Sequence, residues 1–422
     1  MRQMTLRPLL PLARATALLL MLAACAGDER SASRRDRSLQ ITDSAGVRVV
    51  TITSAPADLP EWRLADEPLY TITGATTGDS TALSLVGPVR WLANGGVVAL
   101  DIEGSRLVVF DSTGRFVRAL GRRGAGPGEM QWLTSMAVQR GDTITTYDRS
   151  LRRLSFWHAE HGYARQVSLN ESDANDISPM DAWAWQDSLV VVMLMRIPPP
   201  PPLPPGRTVV RWPMMMSLAV RNDSGRTLGT SPEFDGSYSA LDAGGDSRLP
   251  FANVPFVALG PRAVYFGSGV DFRLRRLAPT FVLDEDMRWP RQQEPLTEAE
   301  VEGVREESIQ LLAQRIPLER AQRAFGSSFL PELLPVDRPA IGRVIVDDRE
   351  RLWVERFEAV RLGSQLQTPA TRWTILDAEG TPIAALVLDP YTRLEDVRND
   401  RAIVVRRDSL DVEYMAAYRL RD

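Results

Sequence analysis

Short apolar runs broken by polar turns recur along most of this 422-residue chain. Leu107-Val-Val-Phe110, Asp111-Ser-Thr-Gly114 and Phe116-Val-Arg-Ala-Leu120 read as a strand, a turn and a strand. Similar turns recur at Ile41 to Val47, Val220 to Arg226 and Ile375 to Thr381, and more loosely at Phe156 to Gly162. In each full copy Asp or Asn can bond back to the local backbone and Gly can supply positive φ. A second hairpin pattern, two apolar runs around a polar turn, appears near Trp91/Val97, Met136/Ile144, Trp183/Leu189, Val257/Val264, Ile345/Leu352 and Leu394/Ile403.

Two stretches superimpose without a gap at a period of 47: Leu69–Gly74 over Phe116–Gly121, Val97–Asp101 over Ile144–Asp148, and Arg106-Leu107 over Arg153-Leu154. A period of about 40–50 built from short strands is that of propeller blades, each a four-stranded sheet. The six hairpins predict an all-β, six-bladed β-propeller over residues 39–422, although residues 170–250 parse poorly and leave room for a seventh blade. Arg401 to Leu420 supplies strands of a last blade with no outer strand after them, whereas Leu69 to Thr73 is an outer strand with no inner strands before it. An N-terminal strand is therefore expected to complete the C-terminal blade and hide its edge. Either Leu69 to Thr73 or the hairpin Leu39 to Ile52 could serve.

Gly121-Arg-Arg-Gly-Ala-Gly-Pro-Gly-Glu-Met130 resembles the inter-blade loop of NHL-type repeats. Asp347-Asp-Arg-Glu-Arg-Leu-Trp-Val354 resembles the Asp-x-x-Gly-x-Leu-Trp-Val hairpin of the same repeats, with Glu350 where Gly is usual. With the leader described below, the chain is similar to six-bladed propeller lipoproteins of NHL-repeat type. That resemblance implies a fold, since propellers host unrelated activities.

Three irregular segments are expected on the face shared by the inter-blade links and the loops between second and third strands. They are Gly121 to Met130, the polyproline run Pro198 to Pro205, and Thr297 to Leu334. The third predicts a helical insert between blades four and five, at about 297–335, opened by a Thr297/Glu300 capping box. Its partial stripe of Val301, Val304, Leu311 and Leu312 fits a lid packed on the propeller better than a partner-binding helix.

The first residues read as an address. Arg2, Arg7 and Arg14, the apolar run Ala15 to Leu22 and small residues before Cys25 describe a secretory signal peptide over residues 1–24. Leu22-Ala-Ala-Cys25 resembles a bacterial lipobox, which implies a lipid on Cys25, with residues 25–38 as a polar tether. Ala26 after the Cys, where Asp would imply retention in the inner membrane, points to the outer membrane facing the periplasm.

Composition narrows the chemistry. A net charge of −4 argues against nucleic acid, the single Cys excludes an internal disulfide, and the absence of Lys excludes a Schiff base and a phosphate-loop lysine. His158 and His161 are the only imidazoles, read as surface turn residues in preference to ligands. Asp101 and Asp148 occupy equivalent repeat positions, as do Arg106 and Arg153. With Asp408 they form the candidate ligand-binding face, although an Asp–Arg pair pinning each hairpin is the plainer reading. No catalytic residue is named and no cofactor is expected; calcium, which wants six to eight oxygens, is the one cation the carboxylates could suit. Two functions remain. One is a monomeric, lipid-anchored module that binds a protein, peptide or glycan. The other is a gluconolactonase-like, metal-dependent hydrolase or lactonase using Asp101, Asp148 and Asp408.

Overall fold

The computed structural model describes residues 39–53, 59–73, 83, 85–169, 177–186, 188–203, 205, 208–242, 245–290, 294–325, 328–359, 369–408 and 412–422. The leader, Cys25 and the tether lie outside these residues. Each of the six hairpins marked by the alternation forms the two innermost strands of a blade. The inner strands are Val86–Trp91, Leu133–Val138, Ile177–Trp185, Phe256–Leu259, Ile341–Val346 and Thr392–Arg398. Among the described residues the ring holds six blades. Residues 170–250 resist parsing because blade three's third strand, Val209–Asn222, is fourteen residues long. Its far end leaves the blade and pairs with an extra hairpin, Phe234–Asp242 and Gly245–Arg248.

The hydrophobic core lies between blades, not within them. Val97, Ala99 and Val108 face blade six across a cluster with Val405, Met415 and Ala417. Val98, Leu100 and Leu107, which alternate with them, face blade two across a cluster with Met136, Ile144 and Trp157. Successive side chains of a strand point to opposite faces, and here both faces meet a neighbouring sheet. Val97–Asp101 is accordingly buried at every position. Blades two and three are joined by three hydrogen bonds whose partners are all 47 residues apart. Thr134 Oγ1 donates to Asp181 (2.7 Å), Ser135 Oγ to the Ala182 carbonyl (2.8 Å), and Gln139 Nε2 to the Gln186 carbonyl (2.7 Å).

The outer-hairpin turns work as their sequence implies. Asp111 accepts the Thr113 and Arg115 amides while Gly114 sits at φ 79°, and Asn222 with Gly225 and Asp377 with Gly380 follow the same plan. Glu350 takes the left-handed conformation (φ 62°) where a glycine would be expected. Its carboxylate accepts the Arg262 amide of blade four at 2.7 Å, so a conformation unfavourable to a side chain is kept for an inter-blade bond.

Both N-terminal candidates have a place. Tyr70–Thr73 pairs antiparallel with Glu413–Arg421 as the outer strand of blade six. The hairpin Leu39–Ser44/Val47–Ile52 adds to blade four, its second strand running parallel to Leu283–Arg288. Between them Glu61–Leu64 pairs parallel with blade five's outer strand and antiparallel with blade six's third strand. Residues 39–73 thus form a strap that visits blades four, five and six in turn. It is held by an Arg48–Glu285 ion pair, by Trp62 against Trp353 (centroids 5.7 Å apart), and by Ile72 beside Met415 and Ala417.

The insert contains helices α1 (Glu298–Ala313) and α2 (Leu318–Ala324), α1 being capped by the Thr297 hydroxyl, which accepts the Glu300 amide. Val304 of α1, Phe325 and Phe329 pack with Phe251 and Phe357, and Leu333 packs with Val209, Ala240 and Leu249 of the blade-three extension. The insert is therefore seated on blades four and five and tied to blade three. Of the polyproline run, Pro198–Leu203 is irregular and largely exposed, with the Pro198 carbonyl accepting Trp212 Nε1 at 2.9 Å.

Candidate functional site at the mouth of the central channel

Each inner strand starts on the upper face, where the inter-blade links and the second-to-third-strand loops emerge. Five of the six carry a β-bulge near that end, between Val86 and Val89, Leu133 and Ser135, Pro179 and Asp181, Ile341 and Val344, and Leu394 and Asp396. Bulges re-aim side chains, and those of blades one, three, five and six sit beside a cavity of about 490 Å³.

The cavity has two unlike walls. Trp183, Met193, Val254, Phe256 and Val257, from blades three and four, make one side apolar. Arg343, Arg393 and Arg90, from the consecutive blades five, six and one, line the other side with Glu395. Val254 also packs against the helical insert, so the insert supports the apolar wall.

The arginine wall is braced from behind. Arg343 Nε donates to Glu355 at 2.8 Å and its guanidinium lies over the Trp373 ring. Burial would lower the Arg343 pKa, but the Glu355 carboxylate outweighs it and holds the pKa above its ordinary value. Arg393 bonds to Glu395 and to the Val86 carbonyl across the seam between blades six and one. At the same seam Glu413, Glu395 and Asp396 accept the amides of Val86 (3.0 Å), Val89 (3.3 Å) and Trp91 (3.0 Å). These carboxylates replace the strand pairing that adjacent blades cannot make, and burial raises the Asp396 pKa.

Asp181 is the carboxyl that blade three brings to the cavity. Burial drives its pKa up to about 6, against the opposing effect of the Thr134 and Ser135 hydroxyls. The folded-state pKa exceeds the unfolded value, so for this acid the folded state is penalised once the pH passes the unfolded pKa. The penalty grows from about pH 4 to pH 6 and is constant above. Asp181→Asn should therefore stabilise the protein by about 1–2 kcal/mol at pH 7.5 and have little effect at pH 4, as read from denaturant midpoints at the two pH values. A destabilised variant at pH 7.5 would contradict this.

All five residues of the candidate face lie in second-to-third-strand hairpins of the upper face, and none of them lines the cavity. Asp101 is fully buried and pairs with Arg106 at 2.9 Å across its own hairpin. Asp148 accepts the amides of Gln131 (2.6 Å), Trp132 (3.3 Å) and Leu151 (3.0 Å). Arg153 donates to the carbonyls of Ala125, Gly126 and Glu129, clamping the Gly-rich inter-blade loop. Asp408 is exposed and accepts the Val412 amide. Arg90, Asp181, Arg343, Arg393 and Glu395 were not anticipated. Their signal in the sequence is a charged residue inside the first apolar run of a blade, as in Met180-Asp-Ala-Trp183.

Residues 75–186 match a family described as a six-bladed β-propeller. No curated protein matches the chain. A member of the DUF4221 family from Bacteroides vulgatus superimposes with a TM-score of 0.51 at 11% identity, covering 86% of this chain and 100% of that one. A Bacteroides fragilis protein named as exported gives 0.48 at 12% identity, with 89% and 100% covered. A gluconolactonase from Xanthomonas campestris gives 0.38 at 14% identity, with 86% and 100% covered. In fold, the chain is similar to the six-bladed β-propellers.

Proposed function

We propose that the chain is an exported propeller, held to the bacterial envelope by a lipid on Cys25, that binds a peptide, a glycan or a segment of a protein at the mouth of its channel and performs no chemistry there. The observation that supports this is the two-walled cavity. Its volume of about 490 Å³ suits one or two side chains or sugar rings, and it sets an apolar wall opposite three arginines. Arginine and aromatic surfaces side by side are what recognise amphipathic ligands.

The hydrolase reading requires carboxylates gathered around one cation. Asp101, Asp148 and Asp408 are instead spread over three hairpins, where they accept the Gly104, Leu151 and Val412 amides of their own turns. Among the described residues, the grouping with metal-holding geometry lies on a different hairpin turn, at the lower end of blade two.

The test is photo-crosslinking in intact envelopes, with a photoreactive residue in place of Ile102 at the cavity rim or of Glu379 on a lower-face turn. The expected result is a discrete adduct from position 102, absent from position 379, with a Cys25→Ser variant lost from the membrane fraction. Adducts confined to position 379 would overturn the site, and a membrane-bound Cys25→Ser variant would overturn the anchor.

A further inference from the structure

We propose that the turn closing blade two's outer hairpin, His158-Ala-Glu-His161, binds a divalent transition cation of the zinc, nickel and copper class. His158 ends the strand Arg153–His158, Glu160 and His161 fill the turn, and Gly162 (φ 86°) starts the returning strand. One ligand atom from each of His158, Glu160 and His161 lies within 4.8 Å of the others. The imidazoles are stacked, with centroids 4.6 Å apart and planes inclined by 20°. Glu160 and His161 are exposed and His158 is half-buried, so a cation has free approach.

The donor set decides the class of ion. Two imidazole nitrogens and one carboxylate oxygen suit zinc and its neighbours, whereas calcium and magnesium want oxygen alone. Three protein ligands leave one tetrahedral position for water, so the ion would be exchangeable. The turn is already held in place: its Glu160 carbonyl accepts from Arg118 on blade one's outer strand, and the Glu160 amide donates to His158 Nδ1 at 3.1 Å. That last bond occupies one imidazole lone pair. Coordination through Nδ1 therefore replaces a backbone hydrogen bond, and coordination through Nε2 requires the other tautomer. The turn lies at the end of the propeller opposite the channel mouth, so this site is independent of ligand binding there.

His158 and His161 are the only two histidines in the sequence, which makes the test clean. The full-length chain, purified without a histidine tag, is titrated with zinc chloride and separately with calcium chloride in a calorimeter. One zinc per chain is expected, with no calcium binding at this turn. His158→Ala and His161→Ala should each weaken zinc binding at least tenfold, and Glu160→Gln several-fold, with the unfolding midpoint in EDTA unchanged. In the wild-type protein both histidine ring-proton resonances should shift on zinc addition, a readout that requires no variant. Absence of zinc binding, binding that survives loss of both histidines, or histidine resonances that ignore zinc would each overturn the proposal.

Discussion

Asp347→Ala is expected to reduce the unfolding free energy by about 3–5 kcal/mol, read as a fall in the urea midpoint. The Asp347 side chain is completely buried, and its two oxygens accept four bonds. Oδ1 takes the amides of Arg349 and Arg351, both at 2.9 Å, and Oδ2 takes Arg351 Nε at 2.6 Å and Trp353 Nε1 at 2.9 Å. Removing the carboxylate takes the acceptor from Arg351 Nε–H and from the buried Trp353 indole N–H. The damage would spread, because Arg351 also reaches Asp400 of blade six (2.8 Å) and covers the strap residue Trp62. Asp347→Asn should not restore stability, since its amide nitrogen would face further donors. The comparison is Asp111→Ala, where the same turn geometry lies at the surface and about 1 kcal/mol or less is at stake. Equal losses at the two positions would show that burial of the Asp347 network is not the cause.

The second large effect is expected at the ring closure. Ile72 is 6% exposed and packs with Val405, Met415 and Ala417, where the closing strand joins blade six. Ile72→Asp places a charge in that apolar seam and should cost about 3–5 kcal/mol. Ile41→Asp, on the strap's exposed first strand (54% exposed), should cost less than about 0.5 kcal/mol. Limited proteolysis is the direct readout: the Ile72 variant should release an N-terminal fragment covering the strap while the remaining blades resist. Resistance equal to wild type would mean that the carboxylates of Glu395, Asp396 and Glu413 close the ring unaided.

The architecture was legible because blade repetition imposes sequence period. The 47-residue offset seen in Val97–Asp101 over Ile144–Asp148 is the same offset that joins Thr134 to Asp181 in space. Turn chemistry was legible for a similar reason, since Asp111 and Gly114 carry their own instructions. The cavity was not legible. Its arginines come from inner strands of different blades, and only ring geometry gathers Arg90, Arg343 and Arg393 on one wall. Repetition also drew attention to Asp101 and Asp148, whose equivalence reflects a shared task within their hairpins. Glu350 shows the limit of motif reading: its departure from glycine is explained by Arg262, a residue 88 positions earlier on another blade.

The strap also dictates when the molecule can finish folding. Arg48 finds Glu285 237 residues further along the chain, and Tyr70–Thr73 pairs with Glu413–Arg421. The hairpin Leu39–Ser44/Val47–Ile52 can form at once, but it, Glu61–Leu64 and Tyr70–Thr73 reach their places only when blades four, five and six have formed. Blades one to three can assemble in order, but the circle locks only when Glu413–Arg421 of blade six is in place. Such long-range closure slows folding, and loss of Glu413–Arg421 would leave the edges of Arg401–Arg407 and Tyr70–Thr73 open to pairing with another chain.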